Sequence, residues 1–231
     1  MKTLILVITC FVSSNLLAQE IRREISSFNY LKVSRGIEVT LVKSEAKEVI
    51  IKPHGLDPND IIVINKNDEL IIKVSTNIIW HDMDANHWRV KVEVPFQELA
   101  GIESTTGASI IGKDVIVSDD LEIDVSTGAE LEIRVDAKTL YAEASMGGEI
   151  KIEGTADIVN VRASMGSEAN LKNLSAMVVK AKSAMGGSIW VNATEEFDGS
   201  VSMGGTIVVT GNPEKFSKNE SMGGDIRSRS N

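Results

Sequence analysis

The chain has 231 residues, 42% hydrophobic and 25% charged, which is enough apolar matter for a core and excludes disorder as its main state. Aromatic residues make up only 4%, so the core is aliphatic. The net charge of −9 argues against nucleic acid and anionic membrane surfaces as partners, because both select basic patches.

Residues 1–19 read as an export signal peptide. Lys2 gives a positive start, and Leu4 to Ile8 open an apolar run that continues through Phe11 and Val12. Leu16-Leu17-Ala18-Gln19 offers a small residue for cleavage, so the mature chain begins near Gln19 or Glu20. The run is too short for a spanning helix, and no later segment reaches that length, so no transmembrane segment is expected. Cys10 is the only cysteine and lies inside this leader, so the mature chain has no thiol for a disulfide or a thiolate metal site. Cys10 could instead carry a lipid, but few residues precede it and signal-like sequence follows it.

Residues 20–231 are expected to form one domain, in two parts. Residues 26–100 are strand-rich but irregular. Leu31, Val33, Ile37, Val39 and Leu41 alternate around Gly36. Ile61–Ile64 and Leu70–Val74 flank Asn65-Lys66-Asn67-Asp68-Glu69 as a β-hairpin, and Val90, Val92 and Val94 alternate up to Pro95. Two arrangements stay open for this part: the first rungs of a solenoid, or a small sheet packed on its end.

Residues 101–231 carry an internal repeat. A hydroxyl or small residue, Thr or Met, Gly and another small residue recur seven times, from Thr105-Thr106-Gly107-Ala108 to Ser221-Met222-Gly223-Gly224. The glycines at 107, 128, 147, 166, 186, 204 and 223 are spaced 18–21 residues apart. Apolar or small side chains fall two and four residues before each Thr or Met, and four and six after it, with polar residues between. Around Met146 they are Ala144, Ala142, Ile150 and Ile152. This period of two marks strands with one buried face. Strands at a fixed period predict an all-β, parallel β-solenoid, right-handed β-helix-like, with about seven rungs. Six inter-rung steps give a stack on the order of 29 Å. The glycine column fits sharp corners, and Gly166→Val is expected to destabilise the stack. The last unit places Lys218 and Glu220 in inward slots, as a cap against edge pairing would.

The opening at Phe28, Leu31 and Val33, the Gly36-Ile37-Glu38-Val39 segment and the serial Ser-Met-Gly-Gly units resemble the "putative auto-transporter adhesin, head GIN domain" family of exported Bacteroidetes-type proteins. The resemblance covers roughly residues 28–212, with Gly36-Ile37-Glu38 in place of the Gly-Ile-Asn that names the domain. It implies a β-helical fold and an exported location, and it brings no catalytic residues. No translocator barrel or sorting domain is expected in this chain.

Four groups could carry chemistry. Trp80-His81-Asp82-Met83-Asp84-Ala85-Asn86-His87-Trp88 combines imidazoles, carboxylates and indoles, suited to a metal or a sugar ring, although its spacing matches no zinc motif. Asp119-Asp120 with Asp124 is the densest acidic group on the rungs, but adjacent strand residues point to opposite faces and make a poor glycosidase pair. Three residues after each Thr or Met stand Ser109, Glu130, Glu149, Glu168, Ser188, Thr206 and Asp225, so the three glutamates should stack, screened by water and Lys151. Met146, Met165, Met185, Met203 and Met222 form a column expected to fill space inside the solenoid, beside a hydroxyl column expected to form a side-chain ladder.

No catalytic, cofactor-binding or metal-ligating residue is assigned, and no cofactor is expected. The sequence favours an exported, non-enzymatic binding or scaffold module of a Gram-negative-type envelope, periplasmic or at the surface, with a glycan or envelope protein as partner. A polysaccharide-active β-helix enzyme is the alternative, and a structural component self-associating through a solenoid end is a third.

Overall fold

The computed structural model describes residues 20–76 and 88–229. These residues are 72% strand, in keeping with the period of two, and the strands form one 16-stranded sheet wound into a solenoid. The N-terminal part comprises β1 (Ile21–Glu24), β2 (Tyr30–Ser34), β3 (Ile37–Lys43), β4 (Glu48–His54), β5 (Ile61–Lys66), β6 (Glu69–Val74) and β7 (Arg89–Phe96). The repeat region comprises β8 (Gly101–Thr105), β9 (Ser109–Ser126), β10 (Glu130–Ser145), β11 (Glu149–Ser164), β12 (Glu168–Ala184), β13 (Ser188–Val201), β14 (Thr206–Thr210), β15 (Lys215–Glu220) and β16 (Asp225–Ser228).

Each regular rung is one long strand bent once. In β10, Leu131, Ile133, Val135 and Ala137 point inward, and then the parity slips so that Leu140, Ala142 and Ala144 do. The slip at Lys138-Thr139 divides the rung into an A arm before it and a B arm after it. This bend carries no glycine or proline, so the sequence shows no turn there. Successive rungs pair in parallel, A arm on A arm and B arm on B arm. The inward side chains form a single aliphatic core from Ile25 to Ile226. Unit lengths vary because extra residues bulge within the A arms, as where Leu171-Lys172 of β12 stand opposite the single residue Ile152 of β11, while the turn column keeps its register.

The B arm of one rung passes to the A arm of the next through the repeated tetrapeptide. In Ser145-Met146-Gly147-Gly148 the two central residues have φ of 47° and 73°, and the Gly148 N–H donates to the Ser145 carbonyl at 2.9 Å. This is the pattern of a type I′ turn. The turns also stack: Gly128 N–H donates to the Met146 carbonyl at 3.1 Å, and Gly147 N–H to that of Met165 at 3.2 Å.

Two expectations need correction here. The methionine column does not fill the interior. As the first central turn residue, each Met points outward, from 45% exposed at Met165 to 78% at Met222. The hydroxyl column does not bond to itself either. Of its members Ser221 Oγ donates to the Val201 carbonyl at 3.4 Å, and beside the column Ser167 Oγ donates to that of Ala144 at 2.8 Å.

The N-terminal part contains both of the arrangements left open. β2 and β3 form a rung through an Arg35-Gly36 turn with φ of 66° and 67°, and Gly36 N–H donates to the Thr106 carbonyl at 3.1 Å. β6 and β7 form a further rung outside it, parallel to β2 and β3. Space order therefore departs from chain order, because β6 and β7 lie beyond β2 and β3. The end is closed by antiparallel strands: β4 on β7, β1 on β4, and β5 on β6 as the predicted hairpin.

At the other end β15 is exposed along its whole length and pairs only with β13. Lys218 and Glu220 are ion-paired at 3.2 Å, and a Glu220 Oε1 accepts from the Ile226 N–H at 2.7 Å. Charges in inward slots of a final strand discourage a further strand from adding, as expected of a cap. The Ile226 amide, and then Lys218, hold the Glu220 carboxyl below its ordinary range. A lowered carboxyl stabilises the fold above its unfolded pKa, and that contribution is lost as pH falls through the lowered folded value. The Ile226 amide resonance should therefore titrate with a midpoint below the about 4.3 of a free glutamate. An unshifted midpoint, or one retained in Glu220→Gln, would refute the contact.

Candidate functional site

The two arms turn two polar faces outward. On the A face the parallel register stacks Ser109, Glu130, Glu149, Glu168 and Ser188, as the repeat indexing predicts. Lys151 does not neutralise this column. It pairs at 2.6 Å with Glu132 in the neighbouring column.

The B face is more varied. One column runs Lys32, Glu103, Asp124, Glu143, Arg162, Lys182. The next runs Tyr30, Gly101, Glu122, Tyr141, Asn160, Lys180, Asp198. From β9 to β12 charge thus passes from acidic to basic, with Lys32 and Asp198 lying outside this strip. The Tyr30 ring lies across Gly101, where any Cβ would meet Cε1 at 2.1 Å, and its hydroxyl donates to Glu122 Oε2 at 3.3 Å. Tyr141 stands free at 50% exposure. A shallow groove of about 530 Å³ crosses the sign change, lined by Glu122, Tyr141, Glu143, Asn160, Arg162 and Lys182 among others.

The acidic half is electrostatically loaded. Desolvation by its neighbours, then repulsion from Glu143, Glu103 and Glu122, pushes the Asp124 carboxyl above its ordinary range, although the side chain reaches solvent. Lys32 bridges Glu69 at 2.8 Å and Glu103 at 3.2 Å, which neutralises the outermost acids. Among the described residues, Asp124, Glu122, Glu143, Arg162, Lys180 and Lys182 form no ion pair. Six charges on neighbouring rungs are therefore available to a partner.

The sequence-predicted groups fall elsewhere. Asp119 lies at the bend and pairs with Lys138 at 2.8 Å, away from Asp124 on the B face, so the Asp119-Asp120-Asp124 group is dispersed. Of the tryptophan and histidine cluster only Trp88 is described. Its ring lies over Gly36, with Cη2 3.1 Å from the ideal Cβ position. Trp80 to His87, and the leader with Cys10, lie outside the described residues. The B-face columns were within reach of the sequence: stepping by one repeat takes Glu103 to Asp124, Glu143 and Arg162. What hid them is that they belong to no motif and are 19 to 21 residues apart.

The architecture has solved counterparts. A putative adhesin from Bacteroides fragilis NCTC 9343 superimposes with a TM-score of 0.79 at 22% identity, covering 91% of this chain and 97% of that one. A putative adhesin from Parabacteroides merdae ATCC 43184 gives 0.69 at 15% identity, with 91% and 95% covered. A protein from Parabacteroides distasonis ATCC 8503, described as a putative lipid-binding protein, gives 0.64 at 16%, with 91% and 96% covered. At these identities the likeness establishes the fold. No curated protein matches the chain. The family model described as "putative auto-transporter adhesin, head GIN domain" matches residues 27–213, and with the solenoid and its stacked turns in view, this chain belongs to that family.

Proposed function

We propose that the chain is an exported, non-enzymatic binding module of the bacterial cell envelope, adhesin-like, which holds its partner against the outer face of the B arms. The observation that carries this reading is the set of six charges of both signs on adjacent rungs, flanking an exposed tyrosine and left without an ion-pair partner among the described residues. Such a face offers directional hydrogen bonds and charge over several rungs, the mode of recognition extended repeat surfaces use. It suits a polar partner, a glycan or an envelope protein. A lipid tail would need an apolar cavity, whereas the solenoid interior is filled with aliphatic side chains. Export follows from the leader-like residues 1–19 and agrees with membership of an adhesin-named family.

The mature chain, beginning at Glu20, is to be screened on glycan arrays and, by thermal shift, against divalent cations and envelope fractions. A hit is expected to disappear in Lys180→Glu and to persist in Glu149→Gln on the A face. A hit indifferent to the B-face variant would move recognition elsewhere. Fractionation of cells expressing the whole chain should find it outside the cytoplasm with a new N-terminus near Gln19 or Glu20. Retention inside with Met1 intact would overturn export.

A further inference from the structure

The B face is self-complementary. Glu143 and Arg162 are register partners on adjacent rungs where the charge changes sign. Asp124 lies one rung beyond Glu143, and Lys182 one rung beyond Arg162. In the next column Tyr141 and Asn160 straddle the same point, with Glu122 and Lys180 beyond them. Consider a two-fold axis lying in the plane of the face, parallel to the strands, between these two rungs. It reverses the rung order and leaves each column facing itself. Glu143 then faces Arg162 of the other copy, Asp124 faces Lys182, and Glu122 faces Lys180. Tyr141 meets Asn160, a hydroxyl against an amide. The same two copies stacked with rung order unreversed would set each charge against its own sign.

Resting on the reading of this face as the recognition surface, we infer that its occupant is a second copy of this chain, docked antiparallel through the B arms as an isologous dimer. Each interaction occurs twice, as two-fold symmetry requires. Like charges on adjacent rungs are unfavourable within one copy, and the opposing strip of the other copy relieves both the acidic and the basic half. A B arm of about six residues spans about 20 Å and six inter-rung steps about 29 Å, or roughly 600 Å² of flat face. This is at the small end against the about 800 Å² per partner of standard interfaces, so the dimer is expected to be weak and salt-sensitive.

Sedimentation of the mature chain over a concentration series, at low and high salt, tests this. The expected result is a monomer–dimer equilibrium at low salt that weakens at high salt. Glu143→Arg sets two guanidinium groups against each other across the axis, and Arg162→Glu sets two carboxylates, so each variant alone should be monomeric. An equimolar mixture of the two variants restores opposite charges at both positions, and association should return at about tenfold or more the strength of either variant alone. A wild-type monomer throughout would overturn the inference. So would a dimer indifferent to both reversals, or a mixture that fails to recover. Circular dichroism confirms that the variants, altered only at exposed positions, remain folded. If the wild type is monomeric but Glu143→Arg abolishes a hit from the glycan or envelope screen, the second copy is excluded and the recognition face stands. If that hit survives too, both readings fall.

Discussion

Replacing Phe197 with Ala is expected to loosen the C-terminal end of the solenoid by about 3–5 kcal/mol. Phe197 is fully buried and is among the largest side chains in a mainly aliphatic core. Its ring stacks on Phe216 with centroids 5.0 Å apart and planes inclined by 30°. It also fills the inward slot left empty at Gly199, where a Cβ would sit 2.4 Å from Phe197 Cζ and 3.1 Å from Ile226 Cδ1. Three strands of the end thus meet around this slot: β13 through Phe197, β15 through Phe216 stacked on it, and β16 through Ile226 beside Gly199. Truncation removes the ring's transfer energy and leaves a cavity that an already exposed β15 cannot refill. In a solenoid each rung is held mainly by its neighbours, so the loss should fall on residues 206–229 first. Hydrogen exchange should show those amides opening while β9 to β11 stay protected. Uniform exchange across all rungs would mean the end is not an independent unit. A fall in stability below about 1 kcal/mol would mean that the ring does not anchor it.

Gly154→Val should be at least as costly, and more so than Gly166→Val. At Gly166 φ is +70° and the space a side chain would enter is empty, so the cost is backbone strain of about 1–2 kcal/mol. At Gly154 φ is +122°, outside the left-handed region that Met and Thr occupy in the turns, and an ideal Cβ would lie 2.0 Å from the Val135 carbonyl oxygen. The obstacle is backbone of the preceding rung, which cannot rotate away. Strained dihedrals and steric overlap each cost about 1–3 kcal/mol, so roughly 3–5 kcal/mol together. Denaturant unfolding of both variants checks the order. Equal losses would show that the backbone at Gly154 relaxes to an ordinary strand when given a side chain.

Gly154 also marks where reading the repeat stops being informative. It lies outside the Met-Gly column, in a slot that Val135 and Leu174 occupy on the neighbouring rungs, so the sequence gives no warning of it. The Met column shows a related limit. Five apolar residues at a fixed period suggest an interior ladder, but their positive φ places them at the outer tip of a type I′ turn, and hydropathy carries no record of φ. The Ser-Met-Gly-Gly tetrapeptide does contain the turn itself. Its second glycine reports the close approach, since at Gly148 a Cβ would lie 2.3 Å from the Val125 carbonyl oxygen.

The all-β class, the rung length, the inward positions near each turn, the stacked glutamates Glu130, Glu149 and Glu168, and the polar last rung are all legible in the amino-acid order. All of these are local or strictly periodic, so they survive without knowledge of what packs where. The stacking of β6 and β7 outside β2 and β3 is settled by tertiary packing, because parallel pairing of β2 with both β6 and β8 is a non-local choice between strands of similar pattern. The winding also gathers Glu122, Asp124 and Glu143 against Arg162, Lys180 and Lys182 on one face, in columns that repeat indexing could trace but that no motif marks. Each of these is an ordinary solvated strand residue by itself. They become a patterned surface once the winding brings residues 19 to 21 apart in sequence to about 4.8 Å in space.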